Sequence, residues 1–257
     1  MHYKNDKMIP LPVVRGIQHS WGYSKGDADF SVTELLQPPK VRALKIQHKD
    51  KLVEDYSDSV ASFIGNCVHK MLEDANAKSE DLITEMRINT SIIVDGTIYS
   101  VSGCVDLINK STNTLSDYKT TSAYAVTGTS EKPEWDQQLN IYAWLYAQEF
   151  DKEELPQAEI IAVLKDWSKS RAKNSNTYPP SAIFVKPIMI WEKKEIEEFV
   201  RERIRLHTNA LTDTQDIICS DEERWLSKKG KANRCEDWCN VNQFCNQYKN
   251  YMEENND

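Results

Sequence analysis

The spacing of apolar residues along this chain changes from helical to strand-like within its first half. Over residues 59–77 they recur every three or four positions, which predicts an amphipathic helix. Residues 86–94 and 97–108 have the pattern of strands, and the Asp95-Gly96 pair between them is typical of a two-residue hairpin turn. Since a third strand follows through Tyr118, we expect a helix and then a three-strand antiparallel meander.

The second half of the chain alternates between the two kinds of spacing. Helical spacing returns over residues 134–150, and again over residues 191–211, where a strongly charged face lies opposite an apolar one. Two apolar runs of strand length, residues 158–164 and 183–191, lie between these helices. This order of elements predicts an α/β or α+β fold in which helices pack on a sheet.

The N-terminal region has few periodic features. The first 30 residues are polar, and we expect extended structure or loops there. Ser31 and Glu34 have the spacing of a capping box, which predicts the start of a short helix. Pro38-Pro39 is expected to end that helix, because proline disfavours helical backbone in the residue before it.

Composition places the chain among soluble globular proteins. Its 257 residues are 40% hydrophobic and 28% charged, which suits one domain, residues 1–257, with room for a small appended module. No window approaches the uncharged apolar length of a membrane span. The first residues contain no apolar run of signal-peptide length, so a cytoplasmic location is expected.

The net charge of -8 argues against a large, uniformly basic nucleic-acid surface. It leaves open a local groove, since acidic residues can themselves be metal ligands. Positive charge is concentrated in two patches, each of which is also explained as a solvated loop: residues 165–173, with Lys165, Lys169, Arg171 and Lys173; and Lys228, Lys229, Lys231 and Arg234.

Candidate chemistry lies on the second and third predicted strands. Asp117 and Lys119 are two residues apart on a strand, so their side chains share one face, and a short turn can bring Asp106 beside them. Two carboxylates can hold Mg²⁺ or Mn²⁺, which prefer oxygen ligands, and a lysine can stabilise charge on a phosphate. The group therefore suits phosphodiester hydrolysis, although a lone Asp-x-Lys is more often a simple ion pair.

The wider sequence context makes the interpretation more specific. Four short motifs follow one another in the order helix, strand, strand, helix. Together they resemble the motif series of the RecB-like branch of the PD-(D/E)XK nuclease superfamily. They are Gly65-x3-His69-x3-Glu73, Gly103-x2-Asp106, Asp117-Tyr118-Lys119-Thr120-Thr121 and Gln138-x3-Tyr142.

The resemblance implies a fold and a role for the matched residues. The fold would be a restriction-endonuclease-like core with a central mixed sheet flanked by helices. The ligands of Mg²⁺ or Mn²⁺ would be His69, Asp106, Asp117 and the backbone carbonyl of Tyr118. Lys119 would be the catalytic lysine, and His69 would contribute to the catalytic site from the first helix.

The remaining residues of the series have supporting roles under the same resemblance. Gln138 and Tyr142 would lie beside the active site and contact DNA, although Tyr142 is also explained as a core residue. The family often has Glu where Asp117 stands. Glu73 is interpreted as a supporting or solvated residue, and Glu85, before the first predicted strand, is left outside the predicted site.

Four of the six cysteines are crowded near the C-terminus, as Cys219-x15-Cys235-x3-Cys239-x5-Cys245. Without a secretory signal, such crowding favours a metal site over disulfides. Four thiolates can hold one Zn²⁺ or an iron–sulfur cluster. Some RecB-like nucleases, including the AddB-type and CRISPR-adaptation nucleases, have an iron–sulfur cluster on C-terminal cysteines, which favours [4Fe–4S] here, with Zn²⁺ as the alternative.

The fourth cluster ligand departs from that resemblance. In those relatives the first cysteine precedes the nuclease core, whereas this chain has no cysteine before Cys67. We therefore predict Cys219 as the fourth ligand and keep Cys67 as the alternative. The cluster would have a structural role, fastening a C-terminal segment of about residues 192–250 to a nuclease core of about residues 59–191.

The leading functional hypothesis is a metal-dependent DNA exonuclease acting at a free DNA end in recombination, repair or phage DNA processing. A phage-encoded protein would act in the cytoplasm of its host. Because the chain has no phosphate-binding Gly-rich Lys-Ser/Thr loop, it is interpreted as a separate nuclease or as a subunit recruited by a helicase or recombination partner. A homo-oligomer or such a partner would supply the positive surface that the net charge of -8 lacks. The alternatives are a catalytically weak or inactive DNA-end-binding adaptor in a larger nuclease complex, and a cysteine-based redox or metal sensor.

Overall fold

The computed structural model describes residues 2–21, 25–127 and 132–255. Its strands are β1 (His2–Lys4), β2 (Phe30–Ser31), β3 (Val53–Asp55), β4 (Leu82–Val94), β5 (Thr97–Asn109), β6 (Thr114–Thr121), β7 (Gln157–Leu164) and β8 (Ile183–Ile188). Its helices are α1 (Leu11–His19), α2 (Val32–Leu35), α3 (Pro39–Gln47), α4 (Val60–Asn76), α5 (Pro133–Glu149), α6 (Lys169–Asn174), α7 (Lys193–Thr212), α8 (Asp221–Arg224), α9 (Asn233–Asp237) and α10 (Asn246–Asn255).

Six of the described strands form one mixed sheet around β5. β4 pairs antiparallel with β5 over almost its whole length, whereas β6 pairs antiparallel with only the last residues of β5, from Leu107 to Asn109. Further along the same edge of β5, β2 pairs with Val101 and Ser102 in the parallel direction. β5 therefore separates from β6 at Asp106, in the middle of the sheet.

The rest of the sheet continues outward from β6. β7 lies parallel to β6 over all eight residues of both strands, and β8 lies antiparallel to β7. The connection from β6 to β7 contains α5, as a parallel pair requires. A mixed sheet flanked by helices is the fold class that we predicted, and the structure confirms it.

The main core lies between the sheet and helices α5 and α7. Residues on every side of α5 are buried, including Ile141, Trp144 and Leu145, so its sequence lacks a polar stripe. α7 has a charged outer face, and the stripe that faces the core includes Ile196 and Ile204, both 0% exposed. These two helices hold the centre of the sheet rigidly on one side.

Several local predictions are confirmed. The predicted helix at residues 59–77 is α4, and the hairpin turn has positive φ at both Asp95 (50°) and Gly96 (82°), as a type I′ turn requires. At the start of α2, the Ser31 hydroxyl accepts from the Glu34 amide at 3.1 Å, and Glu34 accepts from the Ser31 amide at 2.9 Å. The capping box therefore forms as its spacing predicts.

The prediction for the N-terminal region is wrong in part. We expected loops over the first 30 residues, but Leu11–His19 forms α1, which buries Val14 and Ile17. Pro38-Pro39 does end α2, yet Pro39 is also the first residue of α3, because proline fits the first turn of a helix. The main core also includes residues from this region, among them Phe30, Val32 and Leu35.

The C-terminal segment packs on α3 rather than on the sheet. A second apolar cluster joins Val41, Leu44 and Leu52 to Cys219, Val241 and Cys245. Beside it, the buried Lys40 ammonium donates to the carbonyls of Gln215 and Ile217 and to Asn246 Oδ1, at 3.2, 2.8 and 2.6 Å. These contacts connect residues far apart in sequence, so the segment is fixed by α3 and the loop that follows it.

None of the helices in the described part of the chain combines the length and apolar character needed to cross a membrane.

Candidate active site

Two carboxylates face each other where β5 and β6 separate. The ladder between the two strands ends at Leu107 and Ser116, so the next residues in the same register are Asp106 and Asp117. Instead of a ladder bond, the Tyr118 amide donates to Asp106 Oδ2 at 2.7 Å. The side chain of Asp106 therefore replaces a backbone acceptor at the point where β5 and β6 separate. We call this point, at Asp106 and Asp117, the fork.

Asp117 is the most buried member of the site. Its side chain is 3% exposed, and the Lys119 ammonium lies 2.6 Å from its Oδ2 in an ion pair. That oxygen nevertheless accepts no hydrogen bond of acceptable geometry from the described residues. Burial and the negative charge of Asp106 raise the pKa of Asp117 above its usual range, while Lys119 lowers it. A further positive charge at the fork would stabilise this carboxylate.

Lys119 is held by more than its ion pair. Its ammonium donates to Gln138 Oε1 at 3.0 Å, and Gln138 Nε2 donates to the Tyr142 hydroxyl at 3.0 Å. Gln138 and Tyr142 are four residues apart on α5 and therefore lie on the same side of that helix. The chain of contacts from Asp117 to Tyr142 therefore fixes the position of the ammonium from α5.

Gly103 explains how α5 comes close enough to make these contacts. A Cβ atom at position 103 would lie 2.6 Å from Tyr142 Cε1 and 3.1 Å from Leu145 Cδ1. Tyr142 is buried, so its ring has little room to move away. Glycine is therefore required at position 103, because the Tyr142 ring packs directly against it.

His69 extends from α4 onto the same fork. Its Nε2 lies 2.9 Å from the Tyr118 carbonyl oxygen, and its Nδ1 lies 3.5 Å from Asp106 Oδ2. Burial alone lowers the pKa of His69, but Asp106, Asp117 and the Tyr118 carbonyl outweigh it and raise the pKa above the ordinary value. The imidazole thus contacts two of the atoms that the sequence predicts as metal ligands.

Glu85 is a member of the cluster that sequence reasoning missed. Ligand atoms of His69, Glu85 and Asp106 all lie within 4.8 Å of one another. Pairs along the β4–β5 hairpin include Thr84 with Leu107 and Met86 with Val105, so Glu85 is directly opposite Asp106. The two-residue turn would have given this register from the sequence, had the first strand been extended from Met86 back to Leu82.

The donor set fits a divalent metal ion. It contains carboxylate oxygens of Asp106 and Asp117, a backbone carbonyl and an imidazole, which suit Mg²⁺ or Mn²⁺. Asp117 lies outside the group of ligand atoms that are within 4.8 Å of one another, and the Lys119 ammonium is 2.6 Å from its buried Oδ2. Glu73, which we interpreted as supporting or solvated, pairs with Lys70 at 3.0 Å instead of joining this set.

The two predicted basic patches occupy different surroundings. α6 contains Lys169, Arg171 and Lys173, all exposed, and follows the end of β7. Because the Lys165 amide donates to the Thr121 carbonyl, this patch adjoins the end of the strand that contains Asp117 and Lys119. In the other patch, Arg234 lines the cysteine pocket.

The four C-terminal cysteines line one pocket. Cys219, Cys235, Cys239 and Cys245 surround it together with Lys40, Arg224 and Arg234. Burial raises the pKa of Cys219 to about 12 and that of Cys235 to about 11, while the nearby cationic groups lower both. Cys67 is exposed on α4 and is not among the residues that line this pocket.

Comparison with known proteins agrees with this architecture. The model of the family described as PD-(D/E)XK nuclease superfamily matches residues 76–246. The crystal structure of SSO0001 is similar in fold, with 17% sequence identity, a TM-score of 0.59 and coverage of 93% of this chain and 97% of that one. A phage related exonuclease from Haemophilus somnus 129PT has 13% identity and a TM-score of 0.31 over 79% of this chain and 80% of that one. No curated protein matches.

We predict that Gly103→Ala lowers the free energy of unfolding by about 1–3 kcal/mol, because the added methyl displaces the buried Tyr142 ring. Urea unfolding measures the change. Gly65→Ala is the matched control, since it belongs to the same motif series but nothing lies within 4 Å of the added atom. In helix α4 that substitution should raise stability by up to about 1 kcal/mol. Equal effects of the two substitutions would contradict the packing argument.

Proposed function

Because this chain belongs to the PD-(D/E)XK nuclease superfamily, we propose that it is a metal-dependent deoxyribonuclease of the RecB-like branch. The observation that carries the proposal is the fork at Asp106, where two opposed carboxylates, a histidine and a positioned lysine converge. Phosphodiester hydrolysis needs a cation site and a stabiliser of negative charge in one place. This group supplies the residues for both.

The proposed metal ligands are Asp106, Asp117, His69 and the backbone carbonyl of Tyr118. A divalent ion bound there supplies Lewis-acid stabilisation of the phosphate and activation of water. Asp106 has two tasks, since one oxygen already accepts from the Tyr118 amide and fixes the strand that presents the carbonyl. His69 must be neutral to donate a lone pair, so loading of the site releases its proton and becomes more favourable as pH rises.

Lys119 acts beside the metal ligands. Asp117 and Gln138 hold its ammonium on two sides, which reduces the reorganisation needed when charge develops on the phosphate. Gln138 and Tyr142 are positioning residues in this scheme, because their described contacts lead through Lys119. Tyr142 is buried against Gly103, so its role is in packing and not in contact with DNA.

The proposed substrate is DNA with a free end. The protein would degrade it as an exonuclease in recombination, repair or phage DNA processing. The exposed α6 patch, next to the end of β6, supplies local positive charge on a chain whose net charge is -8. A second copy or a helicase or recombination partner would add the remaining basic surface. The cytoplasm is the proposed location, in the host cell if the chain is phage-encoded.

We also propose that the cysteine pocket holds a [4Fe–4S] cluster with Cys219, Cys235, Cys239 and Cys245 as ligands. Tetrahedral thiolates about 2.3 Å from one zinc ion lie about 3.8 Å apart. Among the described residues, no three of these sulfurs all lie within 4.8 Å of one another. The choice of an iron–sulfur cluster over Zn²⁺ rests on the resemblance to nucleases with clusters on C-terminal cysteines.

The charges around the pocket support an anionic centre. Four thiolates contribute four negative charges, and metal binding requires this deprotonated form. The ammonium of Lys40 is buried with uncharged acceptors, and the described structure gives it no carboxylate partner. Arg224, Arg234 and one acid, Glu223, line the same pocket, so with Lys40 the lining carries more positive than negative charge. The cluster would fasten the C-terminal segment onto α3 and would take no part in hydrolysis.

The first experiment measures degradation of end-labelled linear DNA with Mg²⁺ or Mn²⁺. Asp117→Asn should lower the rate roughly a hundredfold or more, because it removes a charged metal ligand while keeping the shape of the side chain. Asp74→Asn, an exposed acid on α4, is the control and should retain the wild-type rate. The sizes of the labelled products report the direction of degradation.

Two outcomes of that assay would contradict the proposal. DNA binding without degradation by the wild type, under either metal, favours the adaptor function instead. Equal degradation by wild type and Asp117→Asn would mean that the fork is not the active site.

Anaerobic purification tests the cysteine pocket separately. The wild type should contain about four irons per chain and absorb visible light, as expected of a four-iron cluster. Cys235→Ser should lose this absorbance and be less stable to heat, whereas Cys104→Ser, outside the pocket, should keep both properties. A colourless protein with stoichiometric zinc would overturn the choice of cluster.

A further inference from the structure

Three acidic residues lie in one row across three neighbouring strands. Glu85 on β4 is directly opposite Asp106 on β5, and Asp106 is next in register to Asp117 on β6. Residues directly opposite each other in antiparallel strands have their side chains on the same face. Glu85 and Asp106 therefore direct their carboxylates toward one face of the sheet, where ligand atoms of both lie within 4.8 Å of one of His69.

The backbone at Glu85 departs from its strand. Its φ is 50°, in the left-handed region that residues other than glycine rarely adopt, although β4 extends regularly on both sides. The ladder skips only the Glu85–Asp106 pair, and the register is the same before and after it. The distortion is local to the residue that faces the fork, and it accompanies a carboxylate within 4.8 Å of both Asp106 and His69.

The described partners of Glu85 do not neutralise it. Its Oε2 accepts from the Cys104 thiol at 3.3 Å, and no lysine or arginine of the described residues forms an ion pair with it. Close carboxylates without a cation repel each other. A divalent ion beside the Glu85 and Asp106 carboxylates would relieve this repulsion.

We propose that Glu85 is a ligand of the divalent metal ion, together with His69 and Asp106. The inference rests on the proposed nuclease function, because it concerns the same metal centre. Mg²⁺ and Mn²⁺ take six ligands in octahedral sites, so the ligands proposed above leave positions that Glu85 can fill. Glu85 thereby adds a third carboxylate, from β4, to a site whose other carboxylates come from β5 and β6.

A spectator acid would act differently from a ligand. Any negative charge near the fork attracts a cation through space, but only a ligand changes the coordination sphere of the ion. Glu73 on α4 is close enough to Glu85 to influence its charge and has its own partner in Lys70. It is therefore a matched acid for separating the two effects.

The test is Mn²⁺ binding to the full chain, measured by calorimetry and by electron paramagnetic resonance of the bound ion. Glu85→Gln should weaken Mn²⁺ affinity about tenfold or more and change the spectrum of the remaining bound ion. Glu73→Gln should change the affinity less than about threefold and leave the spectrum unchanged. Circular dichroism checks that both variants are folded.

The possible results separate this inference from the proposed function. If Asp117→Asn weakens Mn²⁺ binding but Glu85→Gln behaves like Glu73→Gln, Glu85 is not a ligand and the nuclease proposal still stands. If the wild type binds no Mn²⁺, both proposals fall. A weaker affinity of Glu85→Gln with an unchanged spectrum of the bound ion would also show that Glu85 is not a ligand, because that result reflects the loss of charge alone.

Discussion

The hydrogen bond from the Tyr118 amide to Asp106 Oδ2 is the contact on which the rest of the site depends. At 2.7 Å it joins β5 to β6 at the point where their ladder has ended. A backbone acceptor there would continue the sheet and bring the two strands together along their whole length. The carboxylate instead keeps them apart while holding them in register. The resulting fork brings acceptor atoms of both strands together, and α5 packs against both strands.

The surroundings of the fork connect packing to chemistry. Gly103 lets Tyr142 approach the sheet, Tyr142 contacts Gln138, and Gln138 holds the ammonium of Lys119. His69 approaches from α4 and contacts Asp106. These residues are thus positioned by four elements of secondary structure, β5, β6, α4 and α5. A shift of any of these elements would therefore displace the side chains of the candidate site.

Much of this arrangement could be predicted from the sequence, because local periodicity determined it. The helix with His69, the hairpin at Asp95-Gly96 and the shared face of Asp117 and Lys119 all follow from spacing and turn chemistry. The separation of β5 from β6 could not be predicted, since it involves a side-chain acceptor at Asp106 in place of a ladder bond, and the pairing of β2 with β5 joins distant parts of the chain. α1 and α3 were missed because polar residues and prolines obscure their periodicity.

The C-terminal segment and Glu85 illustrate two different limits of prediction from the sequence. The four cysteines could be grouped from their crowding, but the buried Lys40 beside their pocket lies far away in sequence. The position of Glu85 opposite Asp106 could have been predicted from the hairpin register. Its left-handed backbone could not, because nothing about a glutamate in the sequence indicates a positive φ. Charge compensation between distant segments and local strain both arise from tertiary structure.

The central claim is that the fork between β5 and β6 holds the divalent ion. The most direct measurement is an anomalous difference map from crystals grown with Mn²⁺. The account predicts a peak bonded to the carboxylates of Asp106 and Asp117. A well-occupied peak elsewhere, with the fork filled only by the Lys119 ion pair, would contradict it.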